Sequence, residues 1–404
     1  MITGYPEDAV RALRPGQRVY FQGGPGECAA FYNALRDNPG LSNGVEFWSC
    51  LIPGINTLDY GALPGTATLT TFMASPALES SIASGRTILK AMPYSEIAAL
   101  MAATEFDVAI LHVAPPDRGG RCSFGLSCDM PSLVWPNAKR RIAFINPQMP
   151  DIPGADLIPA EAIDLGIPIN APLIAPAQQA RQSNPALEEI GRLAAELISD
   201  GATIQSGIGE APAAIVAALR LHRSLRVHSG IITPEYMQLA EAGAIDTAAE
   251  NIAGVAWGDA VFQAWLPQSG FAFRSAKVTH GHETIAAISG FVSIGSALEV
   301  DLEGNLNLEW RAGRRISSVG GAPDFMRGAK SAQGGMSIIA LPATGGGASR
   351  IVPRISAPSV AGDLTDVVVT EHGVARLKGL TGRARAEALI AIAAPEHRGF
   401  LSRG

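Results

Sequence analysis

The sequence predicts two related α/β domains in tandem, and three observations predict it. Residues 202–220 read as a strand, a glycine turn and an apolar helix; residues 16–36 repeat that device; and buried strand-like runs alternate with helical patterns between the two. The repeat is visible residue by residue. Gly23-Gly24-Pro25-Gly26-Glu27 leads into a helix ending Ala34-Leu35-Arg36, and Gly207-Ile208-Gly209-Glu210 leads into one ending Ala218-Leu219-Arg220.

The elements follow in order. Glu7 to Leu13 reads as a helix, Gly16 to Phe21 as a strand, and Cys28 to Arg36 as the helix after the first glycine turn. Asp107 to His112 and Arg140 to Ile145 have the composition of buried strands, and Pro115-Pro116-Asp117 with Gly119-Gly120 makes a rigid turn between them. Asp164 to Pro185, rich in Pro, Ala, Gln and Asn and without either period, carries the linker. That places an N-terminal domain at 1–175, the linker at 176–186 and a C-terminal domain at 187–404. Ala186 to Ser199 is an amphipathic helix, Leu225 to Val227 a strand and Pro234 to Glu241 a helix closed by Gly243. Phe291 to Leu302 reads as one strand, turning through Glu303-Gly304-Asn305 into Leu306 to Trp310.

Composition narrows the function. With 47% hydrophobic residues, 17% charged, a net charge of −6 and a pI near 5.7, nucleic acid and an anionic membrane surface are poor partners. No apolar run is long enough to span a bilayer and the first residues lack a signal-peptide pattern, so a cytoplasmic protein is expected. Cys28, Cys50, Cys122 and Cys128 lack Cys-x-x-Cys spacing, which favours reduced thiols.

The chemistry concentrates at Gly207–Ala211. A turn of this kind aims free backbone N–H groups and the positive end of a helix at whatever sits above it, a phosphate, a carboxylate or a polarised carbonyl oxygen. A dinucleotide site fails, because the third small residue and the ribose-binding acid are absent; the next strand ends in His228-Ser229-Gly230. The glycine-rich segments at 319–325, 344–350 and 371–373 lack the Gly-Lys-Ser/Thr ending of a phosphate loop, so ATP is not expected. His280-Gly281-His282-Glu283 has no third ligand at recognisable spacing, so it is expected to be a solvated loop and no metal is assigned.

Together the segments resemble the acetyl-CoA hydrolase/transferase family, nearly end to end. The resemblance rests on Pro115-Pro116-Asp117 with Gly125 and Asp129, Gly207-Ile208-Gly209, Val227-His228-Ser229 and Ser296 to Leu302. It continues through Val319 to Gly328, Ile338 to Pro342, Ser349 to Pro353 and Val369 to Ala375. It implies two tandem open α/β domains of the CoA-transferase fold, a homodimer, and an active site between the domains. CoA or acyl-CoA would be the substrate, no cofactor would be covalently bound, and a small carboxylate or water would be the acceptor. Gly207, Ile208, Gly209, Glu210 and Ala211 would line the thioester and donate to its oxygen, with Leu298 and Gly321 also touching CoA.

In the family, a glutamate after His-Ser or His-Thr attacks the thioester; here that position is Gly230. Three replacements are conceivable: Glu210 in the turn itself, Glu235 in the helix after Gly230, or space at Gly230 for water or a larger acyl group with Glu210 or His228 as general base. Against these stand the plain readings of Glu210 as a solvated helix-start acid and Glu235 as an exposed first-turn acid. The two functional readings are an acyl-CoA enzyme with a non-standard catalytic group and a CoA-binding protein without catalysis, a regulator or an inactive subunit.

Overall fold

A parallel sheet whose strand order reverses in its middle forms the frame of each of two units. The computed structural model describes residues 2–177 and 184–403. One unit comprises Met1–Ala177, Ile252–Thr279 and Ile316–Ser318; the other comprises Gln178–Asn251, His280–Arg315 and Val319–Gly404.

In the first unit the strands are β1 (Ile2–Thr3), β2 (Arg18–Phe21), β3 (Glu46–Trp48), β4 (Thr68–Thr71), β5 (Thr87–Leu89), β6 (Phe106–Val113), β7 (Ala138–Ile145) and β8 (Leu165–Pro168). Their order is β1-β8-β7-β6-β2-β3-β4-β5, parallel throughout. The chain leaves β2 toward β3 on one side and later fills the other side from β6, so the order reverses beside β2, where Gly23–Gly26 follows. Parallel strands covered on both faces need continuous apolar runs, and Val108 to Leu111 supplies one, each residue at most 1% exposed. Phe21 stacks on Tyr60 at 3.9 Å between centroids, and Phe47 stands edge-on to both Phe21 and Phe31. That aromatic cluster anchors the helix α1 (Ala29–Asp37), through Phe31, to the sheet.

The second unit repeats the plan with β9 (Thr203–Ser206), β10 (Arg226–Val227), β11 (Phe291–Gly295), β12 (Met336–Ala340), β13 (Val367–Thr370) and β14 (Gly373–Arg376). The order is β10-β9-β11-β12-β13-β14, parallel except for the last, antiparallel pair. Here the reversal falls beside β9, which is followed by Gly207–Gly209. Helix α2 (Pro185–Ala195), capped by the Asn184 side chain on the N–H groups of Ala186 and Leu187, packs on α3 (Glu210–Ala218). A Cβ at Gly191 would lie 2.7 Å from the Ala214 carbonyl oxygen, so glycine is what lets these two helices approach.

Several expectations change. The region 187–404 is not one uninterrupted body: Ile252–Thr279 belongs to the first unit, because its backbone partners are there. Cys128 N–H donates to Gly254 O, Asp156 N–H to Phe273 O and Ala276 N–H to Asp129 O, all at 2.8–2.9 Å. The stretch Asp164–Pro185 is linker only in part, since Leu165–Pro168 pairs in register with Ile142–Ile145. Residues 178–183, the middle of the expected 176–186 linker, lie outside the described residues. Phe291–Leu302 is two strands rather than one. It breaks after Gly295, and Glu299–Asp301 joins a separate small sheet, antiparallel to Leu306–Asn307 and parallel to Ile351–Val352.

Candidate functional site

The Gly207–Ala211 turn leaves the sheet at the carboxyl end of β9, beside the point where the strand order reverses. In open α/β sheets that crevice is where ligands bind. Gly207 N–H donates to Ile294 O at 2.8 Å, fixing the turn against β11. Gly209 then adopts φ +139°, ψ 165°, a conformation L side chains rarely adopt, and serves as the N-cap of α3 without a capping side chain. The first N–H groups of a helix have no partner inside it, and Pro212 contributes none. Those of Glu210 and Ala211 therefore point out of the helix start. Ile208 is 46% exposed and Glu210 is exposed, whereas Ala211 is buried. Pro212, expected in the first turn, is the third residue of α3.

The loop after β11 forms the other side of this crevice. The Ser296 hydroxyl oxygen would sit 3.4 Å from a Cβ at Gly209. Two residues on, half-buried Leu298 lines a cavity of about 930 Å3 with Trp310, Arg311, Ser349, Arg350 and Arg354. Among the described residues no ion pair engages Arg311, Arg350 or Arg354, and the cavity's one carboxylate, Glu299, accepts from Asn307 Nδ2 at 2.8 Å, so arginines outnumber acids three to one along its lining. The Arg350 guanidinium lies over Gly345, where a Cβ would meet its Nε at 2.6 Å.

The loop after β10 is tied to the same strand end. Ser229 Oγ donates to Ile231 O at 2.7 Å and reaches Ser206 O at 3.5 Å. Tyr236, on α4 (Pro234–Glu241), donates its hydroxyl to Ser206 Oγ at 2.9 Å and also meets Ser229. Burial pushes the Tyr236 phenol up to about 12, so it stays protonated and able to donate. Gly230 thus stands one residue from a contact with the residue that precedes Gly207.

Position 230 is enclosed by an aromatic group. A Cβ there would lie 2.7 Å from His280 Cε1, 2.9 Å from His280 Nε2 and 3.4 Å from Phe325 Cζ. Gly321 faces the same imidazole, its Cβ position 2.5 Å from His280 Nε2. The ring lies 4.6 Å from that of Phe325, and His228, itself 3% exposed, packs edge-on to Phe291 at 6.3 Å. His280 is 5% exposed, and burial, with a lesser contribution from His228, pushes its imidazole down to about 3. The expectation of a solvated loop at 280–283 is therefore corrected. His280 is buried against two glycines and a phenylalanine, and His282 begins a short helix, His282–Ala286.

Glu235 is not an exposed first-turn acid either. It is 2% exposed, and Thr233 Oγ1 donates to its Oε2, because the first turn of α4 faces inward with Tyr236. Glu210 makes no hydrogen bond or ion pair with His228, Glu235 or Gly230 among the described residues.

A 4-hydroxybutyrate coenzyme A transferase of Clostridium kluyveri is 32% identical, over 97% of this chain and 94% of its own. The chain belongs to the acetyl-CoA hydrolase/transferase family. The family described as acetyl-CoA hydrolase/transferase C-terminal domain matches residues 259–404. Among solved structures, RipA from Yersinia pestis superposes with a TM-score of 0.92 at 26% identity, covering all of this chain and 96% of that one. The 4-hydroxybutyrate CoA-transferase from Porphyromonas gingivalis gives a TM-score of 0.82 at 28% identity with the same coverage. The family comprises CoA-transferases and acetyl-CoA hydrolases, and the chain has its two open α/β units. No helix among the described residues is long and apolar enough to cross a membrane.

Of the residues expected at the site, Gly207–Ala211 form one turn, Leu298 lines the arginine cavity, and Gly230 and Gly321 meet at one imidazole. Sequence reasoning missed His280, Phe325, Ser296, Tyr236 and the arginines. Ser296 and Arg350 lie inside the segments that carry the resemblance, so a signal for them was present.

Proposed function

We propose that this chain opens the thioester of a small acyl-CoA, passing the acyl group to water or the CoA to a small carboxylate, with a catalytic group other than a side chain at 230. The observation that supports this most is the uncapped start of α3 at the order reversal of the second sheet, in the same unit as a cavity lined by three arginines and one glutamate. A thioester carbonyl under attack gains negative charge, and the outward N–H groups of Glu210 and Ala211 can receive it. The phosphate-bearing nucleotide end of CoA suits Arg311, Arg350 and Arg354, since guanidinium forks match phosphate oxygens. Among Glu210, Glu235 and His228, only Glu210 is exposed at the turn, so it is the base assigned to the reaction. The assembly proposed is a homodimer.

Two measurements test the reading. CoA or an acyl-CoA at ~100 times its dissociation constant should stabilise the fold by about 2–3 kcal/mol, seen as a rise in Tm. Incubation with a panel of acyl-CoAs should release free thiol. No shift with any CoA species overturns the reading. A shift with neither thiol release from any acyl-CoA nor exchange of CoA onto an added small carboxylate leaves a CoA-binding protein without catalysis.

A further inference from the structure

The imidazole of His280 occupies the space that any side chain at position 230 would have to enter. Contacts under 3.0 Å to a Cβ are essentially never seen, and here three ring atoms break that limit: Cε1 and Nε2 from Gly230, and Nε2 again with Cδ2, at 2.6 Å, from Gly321. The ring has no easy retreat. Gly230 and Gly321 both press on it, Phe325 stands beside it, and Phe325 in turn stacks on Phe291 at 6.4 Å between centroids. Residues 230, 280 and 321 are thus one packing unit, in which two glycines make room for one buried ring.

We propose that His280 holds position 230 to glycine: its ring fills the space that an acyl-accepting side chain would need there, so the acyl group goes directly to an acceptor from solution. This rests on the thioester lying at the Gly207–Ala211 turn. The link to that turn is short, since Ser229 and Tyr236 both contact Ser206. The ring's neutrality is consistent with the role, because burial and the nearby His228 both disfavour a charged imidazole.

The chemistry that the ring blocks is explicit. A carboxylate oxygen at 230 would attack the thioester carbon, the C–S bond would break, and CoA thiolate would leave an anhydride. The thiolate would then attack the enzyme-side carbonyl of that anhydride and release the acyl group as a carboxylate, leaving a CoA thioester on the protein.

The test compares wild type, Gly230→Ala, Gly230→Glu, His280→Ala and the two double variants. Each single substitution at 230 should lower Tm by several degrees in the presence of His280, and each should recover part of that loss in the His280→Ala background. After incubation with acetyl-CoA and borohydride, intact mass should show a modified protein only for Gly230→Glu/His280→Ala, which without borohydride should also pass CoA to free propionate, forming propionyl-CoA and acetate. The proposal is overturned if Gly230→Glu alone melts like wild type and forms the adduct. It is equally overturned if the double variants regain no stability, or if Gly230→Glu/His280→Ala regains it and still forms no adduct. Failure of the underlying reading is seen separately, as the absence of any Tm shift by CoA on the wild-type protein. The mild Gly230→Ala pair keeps the stability test available where the larger residue does not fold.

Discussion

Tyr236 donates its phenolic hydrogen to Ser206 Oγ across 2.9 Å, and this bond joins the helix after Gly230 to the strand that ends at Gly207. Both residues are buried, so removing the hydroxyl leaves Ser206 without its donor. Tyr236→Phe keeps the ring and removes the hydroxyl's contacts with Ser206 and Ser229. It should cost about 1–2 kcal/mol, a fall of a few degrees in Tm, since buried hydrogen bonds contribute on this scale. Thiol release from acyl-CoA should fall as well, because the two loops of the site lose their tie. An unchanged Tm and rate would show that the loops are held by backbone contacts alone.

The arginine cavity makes a prediction about ligand chemistry. Arg350→Ala and Arg354→Ala, on either side of Ile351–Val352, should each weaken CoA binding by roughly 10–100-fold, as loss of a charge-assisted hydrogen bond to phosphate does. Binding should also weaken with added salt, because the groups are partly open to solvent. Pantetheine thioesters, which lack the nucleotide, should bind both variants as they bind wild type. If CoA affinity, measured by titration calorimetry, is equal in all three proteins, the nucleotide end lies elsewhere.

Glu27, the counterpart of Glu210 in the repeat, gives a pH dependence instead of a catalytic one. It is 3% exposed, and burial pushes its carboxyl up from 4.5 to about 7, opposed by the hydrogen bond from Asn56 Nδ2 at 3.0 Å. A raised folded-state value means that the fold binds this proton more tightly than the unfolded chain does. The stability it brings is fully present below about 4.5 and is lost as pH rises through about 7. The difference is on the order of 3 kcal/mol. Glu27→Gln cannot ionise, so its Tm should decline less than that of wild type between about pH 5 and pH 8. Equal slopes would show that the carboxyl is not linked to folding.

How legible this was depends on how local the cause is. The glycine turns could be read because only glycine reaches φ +139°, as Gly209 does, and the α4 span Pro234–Glu241 could be read because proline starts it and Gly243 ends it. The break after Gly295 could not, since alternation marks a strand but not which sheet it joins; Leu298 N–H is already committed to Asn307 O. His280 was least legible. Its Gly-His-rich surroundings look solvated, and the residues that bury it, Gly230, Gly321 and Phe325, lie 40 or more positions away in sequence. The same distance hid the burial of Glu235, whose neighbour Tyr236 turns that first helical turn inward.

Glu210 carries the last prediction. It is the first residue of α3, exposed, directly after Gly209, and no side chain caps that helix start, so the outward N–H groups and the positive helix end are open to a thioester oxygen beside it. A carboxylate there can take a proton from an attacking water, whose oxygen then bonds to the thioester carbon as the C–S bond breaks and the thiolate leaves. Glu210→Gln keeps the size and the helix start and removes only the base. Turnover should fall by ~100-fold or more with CoA affinity little changed, the range for a positioned general base. Glu210→Asp, which withdraws the base by one methylene, should fall between the two. A helix-start acid with no chemistry behaves otherwise: Glu210→Gln would shift Tm slightly through the dipole while kcat stayed at the wild-type value. Measuring kcat and Tm on the same preparations separates the two roles, and a wild-type kcat in Glu210→Gln would place the base elsewhere in the site.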